Sequence, residues 1–284
     1  MSWFALIGAL AVLLAVDLLV ARGREITLRG AAIASAVWVG IALAFFGVLL
    51  ATGGDASSFL AGYLVEKSLS LDNVFVFLLV FSAFGVAGAQ RHRLLSYGIV
   101  LALVLRAIFI VAGAAALHAF GWLSFVFAAF LVWTGWKMFR HRHDHDSESA
   151  IVTKLTRVLP IGSAGAALVG IAVVDILFAV DSVPAILAIT DDTFIVFAAN
   201  GFALLGLRPL FFLVAELVDR LYYLKTALAA LLVFIGAKMA AAEFVGKIGP
   251  EISLPVIALI LGTGVAASLV RSSRTPTHAT SSAL

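Results

Sequence analysis

Glu66-Lys67-Ser68-Leu69-Ser70-Leu71-Asp72-Asn73 and Asp175-Ile176-Leu177-Phe178-Ala179-Val180-Asp181-Ser182 are the two stretches that decide how this chain is read. Each sets two carboxylates six residues apart and follows the second with a small polar residue, inside runs that are otherwise lipid-soluble. A carboxylate at mid-bilayer is costly, so four of them in a repeated pattern need a shared reason, and a cation pathway is the usual one.

Composition places those carboxylates in a membrane. Hydrophobic residues make up 63% of the 284 positions and charged residues 12%, which leaves too little polar surface to cover a soluble domain of this size. The first apolar run, Ser2 to Val20, has no basic n-region and no small-residue cleavage site, and Arg22 and Arg24 come after it. It reads as a retained span and not as a signal peptide. The chain has no cysteine, which excludes disulfides and thiolate metal sites; any metal must be held by oxygen or imidazole, a preference of hard cations. The net charge of +3 is explained by membrane topology, and no nucleic-acid partner is expected.

Runs of about 20 apolar residues are long enough to cross the hydrocarbon core as helices. Nine are expected, at 2–21, 31–52, 60–84, 95–117, 120–139, 166–189, 194–217, 226–242 and 252–270. Basic residues follow the odd-numbered runs: Arg22, Arg24 and Arg29, then Arg91 and Arg93, then Arg140, Arg142, Lys154 and Arg157, then Arg220 and Lys225, then Arg271 and Arg274. The even-numbered connections carry mainly acids, among them Asp55, Asp191 and Asp192. By the positive-inside rule the N-terminus lies outside and the C-terminus in the cytoplasm.

An internal repeat organises the runs. Glu66 and Asp72 match Asp175 and Asp181 at an offset of 109. Leu105-Arg106-Ala107-Ile108-Phe109 then matches Leu207-Arg208-Pro209-Leu210-Phe211, and Gly135-Trp136-Lys137-Met138 matches Gly236-Ala237-Lys238-Met239. Three runs per unit is an odd number, so the second unit enters from the opposite side, as in inverted-repeat transporters. The expected fold is all-α and polytopic: two N-terminal helices in 1–52, a first three-helix repeat in 60–139 and a cytoplasmic loop at 140–160. A second repeat in 161–242, a last span at 252–270 and a disordered tail at 271–284 complete it.

Six residues along a helix amount to about 240° and 9 Å, so Glu66 and Asp72 cannot face one point on a regular helix. Ser68, Ser70 and Pro184 predict local unwinding, which would free carbonyls as further oxygen ligands. In the inverted arrangement Asp72 and Asp181 come near the centre, with Glu66 toward the outer side and Asp175 toward the inner side.

These residues resemble the TerC/Alx integral membrane proteins, a family named for tellurite resistance that includes manganese exporters. The resemblance rests on Asp17-Leu18, Ser35 to Trp38, Tyr63 to Phe77, Tyr97 to Phe109, Phe178 to Ala185 and Asn200 to Phe211. It implies divalent cation transport, chiefly Mn2+ efflux across the bacterial inner membrane, with Glu66, Asp72, Asp175 and Asp181 as ligands beside Asn73 and Ser182. Family members often carry a Glu where this chain has Ala172, and a longer central loop.

Each residue also has a plainer reading. The acids can form structural ion pairs with Arg106 and Arg208, but four acids against two arginines leave two negative charges, which one divalent cation would balance. The arginines are read as charge-balancing partners within reach of motif acids or helix carbonyls, since a guanidinium cannot ligate a cation. Lys137 and Lys238 fall at span ends, where snorkelling is the default, and Asp17 is either an access-path or an interfacial residue. His141 to Asp146 is a solvated linker or a metal-collecting segment. There is no G-x-x-x-x-G-K-[ST] loop and no enzymatic activity is expected. The expectation is a secondary transporter exporting a hard divalent cation, Mn2+ foremost, with proton exchange as its drive and no tightly bound cofactor. A non-transporting scaffold of a tellurite-response or metalation complex is the alternative, and a retinal-type pump fits the lysine positions badly. The partners are the metal ion and the lipid bilayer; oligomeric state is not legible.

Overall fold

The computed structural model describes residues 2–20, 27–86, 88–140, 153–158, 164–217, 222–245 and 250–274. The histidine-rich stretch 141–146 lies outside them. Among the described residues the regular elements are helices: α1 (Trp3–Val20), α2 (Leu28–Ala51), α3 (Ala56–Ala83), α4 (Gly88–Ala119), α5 (Leu123–Arg140), α6 (Ala164–Leu187), α7 (Thr193–Leu204), α8 (Leu207–Leu217), α9 (Leu224–Val245) and α10 (Pro250–Arg274). Helices are what an apolar environment demands, because each then satisfies its own backbone polar groups. Three starts are capped by side chains: Thr27 Oγ1 accepts from Gly30 N at 3.2 Å, Asp55 Oδ1 from Ser58 N at 3.0 Å and Asp192 Oδ1 from Phe194 N at 2.9 Å.

Five helical stretches are long and apolar enough to cross a membrane: Leu28–Ala51, Gln90–Ala119, Ala164–Leu187, Leu224–Ala242 and Ile252–Ser272. A sixth is the pair Thr193–Leu204 and Leu207–Ala215, bent by 47°, if it counts as one span. The helix α1 is shorter, α3 carries Glu66, Lys67 and Asp72 in its middle, and α5 ends in Lys137 and Arg140. The chain is thus an all-helical integral membrane protein.

Two expectations are corrected. The motif helices do not unwind: α3 runs unbroken through Ser68 and Ser70, and α6 runs through Pro184. Ser68 Oγ donates to the Leu64 carbonyl one turn back at 2.6 Å, which keeps its hydroxyl inside the helix. The break falls between α7 and α8. Gly206 there has φ +77°, and a Cβ would lie 2.5 Å from the Trp38 ring, so only glycine fits. Pro209 has no N–H to offer the Leu205 carbonyl four residues earlier. At the other end, α10 continues through Arg274, past the point where the tail was expected to begin.

Close contacts give the relative directions of the helices. A Cβ on Gly62 would lie 3.3 Å from Ile186, and one on Gly170 3.2 Å from Val80, so α3 and α6 are antiparallel. On α4, Gly98 abuts Ile171 and Gly113 abuts Val183, so α4 and α6 are parallel. Gly62 against Ala199, and Lys67 Nζ on the Ala203 carbonyl at 3.1 Å, make α3 and α7 parallel. Leu10 against Gly201, with Asp17 against Arg208, makes α1 parallel to α7 and α8. Trp38 against Gly206, with the Phe45 ring 4.6 Å from that of Phe202, sets α2 antiparallel to α7. Gly135 meets Ala229, while Gly236 meets Ala128, so α5 and α9 are antiparallel.

Candidate cation site

The motif helices α3 and α6 cross with residue 62 beside 186 and residue 80 beside 170. The level at which residues 109 apart face each other is therefore Ser70 opposite Ala179. Asp72 and Asp181 stand two residues beyond that level on their helices, about 3 Å of rise, and Glu66 and Asp175 four residues before it, about 6 Å. The side chains of Asp72 and Asp181 lie outside the described residues.

Between α3 and α6 comes Arg106, carried by α4 and wholly buried. Its Nη1 pairs with Glu66 Oε1, and its Nε lies 3.7 Å from Asp175 Oδ1. Asn73, its amide turned to satisfy both neighbours, accepts from Arg106 Nη2 at 2.9 Å and donates to the Leu69 carbonyl at 3.1 Å. Glu66 is 0% exposed and Asp175 2%. Their backbones flank the centre from opposite sides, yet both carboxylates reach one guanidinium. Glu66 Oε2 and Asp175 Oδ2 have no hydrogen-bond partner among the described residues, nor do the buried hydroxyls of Ser70 and Ser182. Among those residues no three His, Asp or Glu side chains converge on one point.

Arg208, the repeat counterpart of Arg106, goes elsewhere. It lies 3.7 Å from Asp17 Oδ1 and donates to the Asp17 carbonyl at 2.9 Å, because α1 packs alongside α7 and α8, with Leu10 against Gly201. Arg208 therefore balances Asp17, and among the described residues it pairs with no motif acid. Asp17 is 6% exposed, a buried ion-pair member. Snorkelling fits Lys137, which is exposed with Nζ 5.3 Å from the Trp133 ring centre, but Lys238 is 6% exposed and its Nζ has no hydrogen-bond partner among the described residues.

Sequence reasoning missed Lys67. Its Nζ donates to the carbonyls of Ala203, in the last turn of α7, at 3.1 Å and of Leu205, just past its end, at 3.4 Å. Gly206 and Pro209 in the middle of an apolar run were the signal: they orphan the Leu205 carbonyl, and a buried orphan calls for a donor.

Fold and site together define a polytopic α-helical membrane protein with an acid–arginine cluster where its two motif helices cross. The chain belongs to the integral membrane protein TerC family, whose model matches residues 51–276. It is 43% identical over 300 residues to an uncharacterised membrane protein of Myxococcus xanthus, covering 97% of this chain and 94% of the relative. Against the putative membrane-bound redox modulator Alx of Escherichia coli K12 it is 39% identical over 280 residues, 85% of this chain and 86% of Alx. Against the thylakoid membrane protein TERC of Arabidopsis thaliana it is 41% identical over 261 residues, 84% of this chain and 68% of that protein. No solved structure matches the chain.

Proposed function

We propose that this protein is a secondary transporter exporting a hard divalent cation, Mn2+ foremost, from the cytoplasm across a bacterial inner membrane, with protons as the exchanged ion. The observation that carries the reading is the meeting of Glu66 and Asp175, one from each motif, on a single buried guanidinium, with one oxygen of each carboxylate left unpartnered among the described residues. Such acids are expensive in a membrane interior and mark ion pathways. Asp72 and Asp181, close to the crossing level and followed by Asn73 and Ser182, are the proposed ligands, with Glu66 and Asp175 beside them; carboxylate and amide oxygens suit a hard cation. Carboxylates that bind a cation can release it by taking up protons.

The proposed frame is nine spans with an inverted repeat, the N-terminus outside and the C-terminus in the cytoplasm. Helix directions support it, since every pair read from contacts fits strict alternation. The α5–α9 contact supports it further: Gly135 abuts the Ala229 carbonyl and Val233, and Gly236 abuts the Ala128 carbonyl and Val132. Each partner is the other's equivalent at an offset of 101. A contact that exchanges in this way across antiparallel helices has its two-fold axis perpendicular to them, hence in the membrane plane.

Pairing of both acids with Arg106 also favours a second reading, a scaffold in which the cluster is structural. The redox role in the name of Alx would have to act here without thiols, since the chain has no cysteine. Mn2+ flux into proteoliposomes holding only this protein separates the two. Saturable, proton-coupled uptake supports transport, and its absence with folded protein favours the scaffold.

A further inference from the structure

We propose that the Ala203 and Leu205 carbonyl oxygens at the end of α7 form a monovalent-cation site, which the chain fills in cis with the Lys67 ammonium. The inference does not depend on which ion the protein moves. A broken helix inside a membrane leaves carbonyls facing inward at the negative end of a helix dipole, and transporters with such breaks commonly hold a dissolved cation there. Here Nζ of Lys67 sits on that spot, 3.1 Å and 3.4 Å from the two oxygens.

The other half of the chain acts as an internal control. At an offset of 102 the counterparts of Gly206 and Pro209 are Val104 and Ala107, and α4 is unbroken through them. At an offset of 109 the counterpart of Lys67 is Ile176. The half with the break has the ammonium, and the half without it has a hydrocarbon. A lysine that served only the motif acids would be wanted equally in both halves. Lys67 also follows Glu66 directly on α3, so the site ties the motif helix to the broken arm.

The test is chemical rescue of stability in the purified full chain. Lys67→Ala removes the fragment whose free form is n-propylammonium. Its melting temperature in tetramethylammonium chloride is expected to fall by roughly 5–10 °C. n-Propylammonium chloride at equal ionic strength should recover most of that loss in a saturable way, with no effect on wild type. 1-Propanol, which has the length without the charge, should not. No recovery by propylammonium, or equal recovery by propanol, overturns the proposal. If Lys67→Ala does not yield folded protein, Lys67→Arg and Lys67→Met decide: Arg retaining the fold where Met loses it supports the site. Met matching wild type, or Arg doing no better than Met, overturns it.

Discussion

Replacing Arg106 by methionine tests the centre of the molecule. The substitution keeps an unbranched stem that reaches as far as Nε and removes the guanidinium on which Glu66, Asp175 and Asn73 converge. Both acids are almost wholly buried, so they are left charged without a partner, and breaking a buried pair in this way costs about 3–5 kcal/mol. At roughly 2–4 °C per kcal/mol, the scale for soluble chains of somewhat smaller size, the melting temperature in detergent should drop by roughly 6–20 °C. Two further measurements isolate the cause. The triple variant Glu66→Gln/Arg106→Met/Asp175→Asn has no unpaired charge at this point and should recover most of the loss. Mn2+ should stabilise Arg106→Met more than wild type, since the same acids then face the cation without a competing arginine; a ligand at a hundred times its Kd contributes about 2.7 kcal/mol. Arg106→Met as stable as wild type would refute the reasoning, because it would mean that the acids are neutral or solvated and that the cluster is no charged site.

Asp72→Asn/Asp181→Asn should abolish Mn2+ flux in proteoliposomes with expression intact; near-normal flux would place the cation elsewhere. Leucine at Gly135 or at Gly236 must fit beside a carbonyl oxygen 2.7 Å or 2.8 Å from the added Cβ, so the two variants should lower melting temperature by similar amounts, and a large inequality would contradict the exchanged contact. Asp192→Asn should be close to neutral, whereas Asp192→Ala loses the cap on Phe194 N and should cost about 1 kcal/mol, read by chemical unfolding. Flux measured at clamped potentials should be nearly voltage-independent, as expected for two protons per divalent ion; a current that scales with flux would exclude that stoichiometry.

Much of this was legible in the residues. Hydropathy and length located the helices because lipid leaves the backbone no other option, and the acid spacing singled out α3 and α6 because charges are rare there. The break was misplaced. Ser68, Ser70 and Pro184 looked like unwinding signals, but a serine hydroxyl can bond one turn back and a helix can absorb one proline when its neighbours pack tightly. Gly206 with Pro209 could not be absorbed, since a positive φ and a missing donor fall within one turn of each other, yet their apolar surroundings hid them. The partner of Arg208 was not readable either: Asp17 lies 191 residues away in sequence, and only the packing of α1 along α7 and α8 brings the two together.

That misplaced partner changes the charge balance in favour of an ion site. Two arginines against four motif acids leave two negative charges. With Arg208 paired to Asp17, Glu66 and Asp175 have Arg106 as their ion-pair partner among the described residues. One guanidinium balances only one of these two buried carboxylates, so a negative charge remains at the crossing before Asp72 and Asp181 are counted, and unpaired carboxylates do not persist in a membrane interior. On the proposed transport reading a divalent cation would neutralise such charge when bound, and protons would replace it when the cation leaves. A cluster that kept one charge throughout would then exchange two protons for each divalent ion. A purely structural cluster has no need of that surplus, since one acid and one arginine would hold the crossing of α3 and α6 at lower cost.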